Sequence, residues 1–225
     1  AHGGLSEGYQ GTRIRPIATG GGSGQRGLFA GGSPSRSNIE KVNISTDGNT
    51  TQFGDLTVGR RQFVGGGSSA IRGIFGGGYG SPTHRNTIDY ITFAHEGNAA
   101  DFGDLSATGE DGAGLGNATR AVFAEGVNAG TTIVDTVSYV EMATTGNAAD
   151  FGNLSASRHS VGAVSSTTRG VFAGGRAGAS PNPLVNIMEY ITIASVGNTT
   201  DFGDLSQTRA QVAPSSSSTK VAATI

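Results

Sequence analysis

The chain has 225 residues, a length that suits one all-β domain, and we expect residues 1–225 to form a single repeat domain. A formal net charge of −2, without any basic segment, argues against nucleic-acid binding. The absence of cysteine excludes disulfides, thiolate metal sites and a cysteine nucleophile, and no apolar run is long enough to predict insertion into a membrane.

An internal repeat of about fifty residues organises the chain. Its signature is Gly-Asn-x-x-x-Phe-Gly-(Asp/Asn)-Leu, and successive copies are separated by 49, 49 and 51 residues. Periods of this length are typical of stacked arrays and propellers, because one small unit cannot cover its own apolar faces. The predicted units are 7–56, 57–105, 106–154 and 155–205, with a partial unit at 206–225.

Residues 22–27, near the amino terminus, have the glycine spacing of a dinucleotide-binding loop. That spacing indicates nucleotide binding only between a strand and a helix of a βαβ unit, and here it precedes a repeat strand. We therefore interpret it as a connecting turn.

Two apolar positions of each unit are predicted to lie buried between neighbouring sheets. They are the aromatic and the leucine of the signature, namely Phe53, Phe102, Phe151, Phe202, Leu56, Leu105, Leu154 and Leu205. Their fixed spacing makes them the repeated core of the array.

Each unit is predicted to contain four short strands, which in the last complete copy cover about 159–165, 169–174, 186–194 and 199–205. Apolar residues occupy both faces of the third of these strands, as expected for a sheet packed on both sides. Gly197-Asn198 supplies residues that tolerate positive φ, which a tight hairpin between the third and fourth strands requires. No segment of the sequence shows the apolar spacing of a helix.

These residues resemble the kelch repeat, in which a strand ends in Gly-Gly, the next carries Tyr, and the fourth carries an aromatic, a Leu and then an Arg. In the last copy they are Gly174-Gly175, Tyr190, Phe202, Leu205 and Arg209. The resemblance implies a β-propeller of four-stranded blades, with about four complete blades and a partial one, either as a fragment of a larger ring or as a partial ring. The chain departs from the kelch pattern in having Phe in place of Trp, and Lys41, Glu125 and Gly109 at three repeat positions.

The amino-acid sequence of the repeat also resembles repeat proteins of bacteriophages, especially those of marine and cyanobacterial hosts. Tyr-Ile-Thr-Ile at 190–193 and Asp-Phe-Gly-Asp-Leu-Ser at 201–206 carry this likeness. It implies a virion structural or tail-fibre protein, located in the virion or outside the cell, whose partners are other virion subunits or copies of itself.

Several polar residues have structural interpretations. One pair of oxygen-bearing side chains recurs in each unit: Gln52 with Asp55, Asp101 with Asp104, Asp150 with Asn153, and Asp201 with Asp204. These side chains are predicted to accept hydrogen bonds from turn N–H groups, because one pair is too few ligands for Ca²⁺. The arginines after the fourth strand, Arg60, Arg158 and Arg209, are predicted to bridge blades, and Tyr90, Tyr139 and Tyr190 to pack between them. The four histidines share no metal-ligand spacing, so we predict no metal, cofactor or catalytic residue.

The connections that follow the Gly-Gly strands vary in length and composition while the frame of the repeat holds. Binding residues on a rigid scaffold usually lie in such loops. The candidate ligand-binding residues are Arg36, Tyr79, His84, Arg85, Asn128, Arg176, Asn182 and Leu184.

Three functions remain open at this point. The first is a non-enzymatic virion or fibre module that presents these loops to the host surface, including its glycans. The second is a purely architectural module that joins subunits. The third is an enzyme acting on polysaccharide, which would need paired carboxylates from separate blades.

Closure of the array is a separate expectation. Residues 210–225 are predicted to form two strands of a further blade, with segment 3–6 as the outer strand of the same blade. An unpaired sheet edge would otherwise invite association with another chain.

Overall fold

The computed structural model describes residues 26–129, 132–178 and 181–216, and every regular element in these ranges is a β-strand. The all-β prediction is therefore confirmed. Among the described residues there is no helix with the length and apolar character needed to cross a membrane. Of the predicted partial blade 206–225, residues 206–216 are described and contain no strand, so the expected strand that begins at 210 is not found there. The rest of that blade, residues 22–25 of the glycine loop and segment 3–6 lie outside the described residues.

The strands form a series of antiparallel sheets in chain order. The first sheet contains β1 (Arg26–Ala30), β2 (Arg36–Asn43) and β3 (Thr51–Arg60). The second contains β4 (Gly65–Ser68), β5 (Arg72–Gly80), β6 (Thr83–Thr92) and β7 (Ala100–Glu110). The third contains β8 (Ala113–Gly116) and β9 (Arg120–Ala124), and then, after the short β10 (Val127–Asn128), β11 (Thr136–Glu141) and β12 (Ala149–Asn153).

The last described unit begins with the short β13 (Arg158–His159). Its sheet, the fourth, contains β14 (Gly162–Ser165), β15 (Arg169–Ala173), β17 (Ile187–Thr192) and β18 (Thr200–Asp204), with the short β16 (Arg176–Ala177) between β15 and β17 in the chain. β10 pairs with β7, so a short ladder connects the second sheet to the segment that follows β9, and at the equivalent place in the last unit β13 pairs with β16. Within each sheet the main strands follow one another as an antiparallel meander.

The strand predictions for the last unit match three of its main strands closely. The expected strand at 159–165 is instead divided into β13 and β14, because Ser160 adopts a left-handed conformation with φ of 56°. A residue with positive φ interrupts a regular strand.

The hydrophobic core lies between consecutive sheets and forms three clusters. One contains residues of the first and second sheets, one of the second and third, and one of the third and fourth. Phe53, Phe102 and Phe151 are 2–3% exposed, and Leu56, Leu105 and Leu154 are equally buried, as predicted.

The prediction that Phe202 is buried is wrong, because this side chain is 48% exposed, and Leu205 is only partly buried. The first three aromatics are each covered by the following sheet. The described residues place no further sheet against the fourth, so its repeated core position stays open.

A glycine-asparagine turn fastens each sheet to the one before it. Gly97 N–H donates to the carbonyl of Phe53 at 2.9 Å, and the side chain of Asn98 accepts from Asp55 N–H at 3.1 Å. The same contacts recur at the next two interfaces, with N–O distances of 2.7 and 2.6 Å for the glycine donors. The signature of the repeat is therefore a docking device as well as a strand.

This docking explains the glycine of each Phe-Gly pair. A Cβ added at Gly54 would lie 1.9 Å from the carbonyl oxygen of Gly97, and a Cβ at Gly103 or Gly152 would lie 2.4 Å from the equivalent oxygen. No side chain fits at these distances, so the turn can approach only a glycine.

Buried arginines also bridge the sheets, as predicted. Arg60 is fully buried and reaches across to the second sheet, where it donates to the carboxylate of Asp89 at 2.6 Å and to the carbonyl of Thr87 at 2.7 Å. Arg158 pairs in the same way with Glu189. Burial lowers the pKa of Arg158 to about 10, which leaves the guanidinium charged at pH 7. Arg209 departs from this pattern, since it is exposed and its contact within the described residues is with Gln207 at 3.4 Å.

The repeated tyrosines pack between an arginine and a phenylalanine. The guanidinium groups of Arg72, Arg120 and Arg169 lie 4.9, 4.5 and 4.3 Å from the ring centres of Tyr90, Tyr139 and Tyr190. On the other side each tyrosine meets the signature phenylalanine edge to face, at 5.7, 5.7 and 6.1 Å. Arg72 and Arg120 also donate to carbonyls of the following sheet, so these stacks take part in the contacts between sheets.

The first side chain of three of the recurring pairs accepts the predicted hydrogen bond. In the first pair, Gln52 instead donates to the carbonyl of Gly54, and Asp55 accepts from the hydroxyl of Ser37. Asp101, Asp150 and Asp201 each bond the backbone N–H two residues ahead, at 3.2, 3.1 and 3.1 Å. Their role is local: they hold the backbone at the glycine of the Phe-Gly pair, the position that receives the docking turn.

Candidate functional site

The chain passes from one sheet to the next through a crossover that has the same backbone in each unit. The crossover residues Arg61, Glu110 and His159 are 49 residues apart. Each pairs with the segment that follows the second strand of the following sheet, and the partners are Tyr79, Val127 and Arg176. The crossovers therefore bring the variable connections against equivalent points of the scaffold.

A backbone spine runs beside the crossovers. It consists of Gln62, Asp111, Ser160 and Gln211, all with φ between 50° and 58°. The N–H of each later member donates to the carbonyl of the one before, at 3.1, 2.8 and 2.8 Å. The spine links all four units and fixes the direction of the neighbouring side chains.

The polar side chains along this spine form two contact groups, which meet in the chain at the consecutive residues Glu110 and Asp111, and we call them together the crossover row. It comprises Arg61, Tyr79, His84, Glu110, Asp111, His159, Arg176 and Asn182.

The first half of the crossover row lies on the second sheet and its crossover. The guanidinium of Arg61 is 4.9 Å from the ring centre of Tyr79, and that ring meets His84 edge to face at 5.3 Å. His84 Nε2 lies 3.4 Å from Glu110 Oε1, and both side chains are about one-fifth exposed. An aromatic ring, an imidazole and a carboxylate thus share one partly open surface.

The second half continues from the residue after Glu110. Asp111 Oδ2 lies 3.9 Å from His159 Nδ1, and the other ring nitrogen of His159 is 3.3 Å from Asn182 Oδ1. The guanidinium of Arg176 donates to the backbone carbonyl of Asn182 at 3.2 Å. Hydrogen-bonding groups of both signs therefore line up across three consecutive units.

Three buried polar atoms beside the row lack a hydrogen-bond partner within the described residues: Arg85 Nε, Glu110 Oε2 and Asn128 Oδ1. Arg85 and Asn128 both stand opposite Gly109 in the ladder, on the strands that flank it. Partners in register lie on the same face of a sheet, and glycine leaves the space between them without a side chain. Buried polar groups normally have partners, so a bound molecule or water that supplies them would be stabilised here.

The structure brings together most of the predicted loop residues. Tyr79, His84, Arg176 and Asn182 belong to the crossover row, and Arg85 and Asn128 lie beside its first half. Leu184 is 40% exposed and forms a backbone bridge with Arg176 at the far end. Arg36 lies apart on β2, where it is exposed and stands opposite Arg60.

The sequence reasoning missed four members of the row: Arg61, Glu110, Asp111 and His159. His159 was assigned no role because its partner Asp111 is distant in sequence. A usable signal did exist, since the residues at 61, 110 and 159 fall at one position of the repeat and yet differ completely in chemistry.

Two grooves lie elsewhere, beneath the hairpins of the first and third sheets. Their volumes are about 440 and 150 Å³. The larger is lined by Lys41, which takes the place of the tyrosine that lines the smaller one. Within the described residues no group of three or more histidines and carboxylates could hold a metal ion.

Comparisons with known proteins add no relative. No model of a known protein family matches the chain, and no curated protein matches it. The contacts of the chain itself therefore carry what can be proposed about its function.

Proposed function

We propose that the chain is a kelch-like propeller module that serves as a non-enzymatic structural or fibre component of a virion and binds host-surface glycans through the crossover row. The antiparallel meanders, the cores between consecutive sheets and the Gly-Gly strand ends support the propeller reading. The resemblance of the repeat sequence to phage repeat proteins supports a virion or extracellular location, with other virion subunits or copies of the chain as partners.

One observation carries the binding proposal. The repeat holds its buried positions constant, with phenylalanine and leucine in every unit, whereas the equivalent crossover positions hold Arg61, Glu110 and His159. The fold needs only their backbone, which pairs in the same way each time. Side chains that the scaffold does not require are free to match a ligand.

The chemistry of the row suits a sugar. Glycan hydroxyls need both donors and acceptors, which Arg176, Asn182 and Glu110 provide over adjacent units. The half-buried ring of Tyr79 offers an apolar face with a polar tip, a combination suited to a ligand with both kinds of surface. Arg85 Nε and Asn128 Oδ1, which have no hydrogen-bond partner within the described residues, are buried close by.

The experiment is a glycan array followed by titration of the best glycan. Glu110→Gln keeps the shape of the side chain and removes its charge, so we expect at least about a tenfold loss of affinity, about 1.4 kcal/mol. Glu141→Gln makes the same chemical change on the exposed part of β11, away from the row, and should leave the affinity unchanged. Equal affinities for the two variants would contradict the role of the row.

Two results would favour the other functions. Failure of the native chain to bind any glycan or host surface extract would favour a purely architectural module. Cleavage of a polysaccharide by the native chain that disappears in Glu110→Gln would instead favour an enzyme, because Glu110 and Asp111 are consecutive carboxylates found in only one of the described units.

A further inference from the structure

Consecutive sheets meet through the same set of contacts at all three interfaces between the described sheets. A glycine-asparagine turn docks on Phe-Gly-(Asp/Asn) of the sheet before it, an aromatic on the second strand of each four-stranded sheet is buried there, and at two of the interfaces an arginine crosses to a carboxylate. The buried aromatics are Phe75, Phe123 and Phe172, at 3, 0 and 0% exposed. These shared parts define what a complete interface contains.

The fourth sheet presents the receiving half of this interface, and none of the described residues docks on it. A Cβ at Gly203 would meet nothing within 4 Å, whereas at Gly103 and Gly152 it would strike the turn that docks there. Phe202 is 48% exposed, and Arg209 is exposed as well. The backbone of Arg209 is held as that of Arg60 is, since each carbonyl accepts from the second glycine of a Gly-Gly pair, at 2.8 and 3.0 Å.

The first sheet presents the inserting half. Gly48-Asn49 repeats the docking turn, and Gly48 has φ of 154°, against 150° and 152° at Gly97 and Gly197. Phe29 stands where the three buried aromatics stand and is 37% exposed. The two interface halves on which none of the described residues docks therefore lie at opposite ends of the same array.

The charges at the two ends are complementary. Glu40 stands opposite Phe29 in the ladder, as Glu189 stands opposite Phe172. Glu40 Oε2 accepts from Thr50 Oγ1 at 3.1 Å, which matches the bond between Thr199 and Glu189. Glu189 goes on to pair with Arg158, which follows the last strand of the third sheet. Glu40 has no arginine in the equivalent place within the described residues.

We propose that the first sheet of one copy docks on the fourth sheet of a second copy, with Glu40 paired to Arg209 and the Gly48-Asn49 turn seated on Phe202-Gly203-Asp204. The occupant is a second copy because the two end faces, both exposed in the described residues, carry complementary halves and charges of the same interface. Such a contact joins unlike surfaces and continues into a closed ring of copies or into a filament. It stands whether or not the crossover row binds glycans.

Charge exchange tests the contact. Sedimentation of the native chain over a concentration series should show association, and Arg209→Glu or Glu40→Arg alone should weaken it about tenfold or more. The double variant with both changes should associate again, because its ends are complementary once more. Thr144→Glu introduces a charge on an exposed hairpin of the third sheet and should have no effect. A native chain that stays monomeric at every concentration, or association that ignores the single variants, would overturn the proposal.

A disulfide test identifies the occupant and avoids dependence on charge. The chain has no cysteine, so the variant Asn49→Cys with Asp204→Cys introduces the only two thiols. Oxidation should produce covalent multimers on a non-reducing gel. Oxidation to a covalently closed single chain, or failure to cross-link, would overturn docking between copies. Circular dichroism of each variant shows whether its sheets remain folded.

Discussion

At the scale of single residues, the interfaces between sheets retain a buried carboxylate even where its position in the sequence changes. Asp89 accepts from Thr57 N–H at 3.2 Å, and Glu189 accepts from Ser155 N–H at 2.8 Å. At the interface between them the equivalent residue is Ser138, which cannot take that role.

Glu125 supplies the carboxylate at this middle interface. It occupies the first position of the Gly-Gly pair and bonds Ser106 Oγ at 2.8 Å and Ser138 Oγ at 2.7 Å. At the position of the repeat arginine this unit has Gly109. The three departures from the repeat at this interface, Glu125, Ser138 and Gly109, therefore have one explanation. At every interface the backbone N–H after the signature leucine needs a carboxylate as hydrogen-bond acceptor. The arginine is needed only where that carboxylate comes from the third strand of the sheet.

Removal of Arg60 should reveal this dependence. Arg60→Met leaves the carboxylate of Asp89 buried and unpaired, so we expect the free energy of unfolding to fall by about 3–5 kcal/mol. Arg60→Met combined with Asp89→Asn removes the charge, keeps the acceptor for Thr57, and should recover most of the loss. Urea unfolding of the two variants measures the difference, and equal losses would show that the ion pair is not the cause.

At the scale of strands and turns, the glycine after each signature phenylalanine is required by the turn that docks on it. Gly103 and Gly203 have φ of 146° and 122°, so alanine is strained at both positions. They differ in surroundings, because only the first faces a docked turn.

The pair Gly103→Ala and Gly203→Ala separates docking from backbone strain. Gly103→Ala should cost about 1–3 kcal/mol more, since its Cβ must displace the backbone of the next unit. Denaturation midpoints at a concentration where the chain is monomeric provide the measurement. Comparable losses in the two variants would mean that the turn does not seat on Gly103.

The strands and the repeated core could be predicted from the sequence, because they depend on short patterns that recur in every unit. Phe53, Phe102 and Phe151 follow from the spacing alone. Phe202 has the same local sequence, but its burial depends on a neighbouring sheet, which the pattern of one unit does not contain.

The candidate site was only partly predictable for a related reason. Tyr79 and His84 stand out within a variable connection, so composition indicated them. Glu110 and His159 contribute through contacts with His84 and Asp111, and these depend on how consecutive crossovers are aligned. The left-handed backbone of the spine sets that alignment, and its members Gln62 and Ser160 carry no recognisable signature.

At the scale of the whole molecule, the chain is a stacked array in which every unit is fastened to the next at three levels. The docking turn holds the outer strands, the cores hold the faces, and the spine holds the crossovers. Stability in such arrays is shared between units and their interfaces, so each interface contributes to the unit on both sides. Within the part of the chain that the structure describes, two interface halves are undocked, at Gly48 and at Phe202.

Hydrogen exchange of the turn glycines tests the repeated docking most directly. In a dilute, monomeric sample the amides of Gly97, Gly146 and Gly197 should be protected, because each donates to a carbonyl of the preceding sheet. The amide of Gly48 occupies the same position in an undocked turn and should exchange fast. Uniformly fast exchange at all four glycines would contradict the docked array.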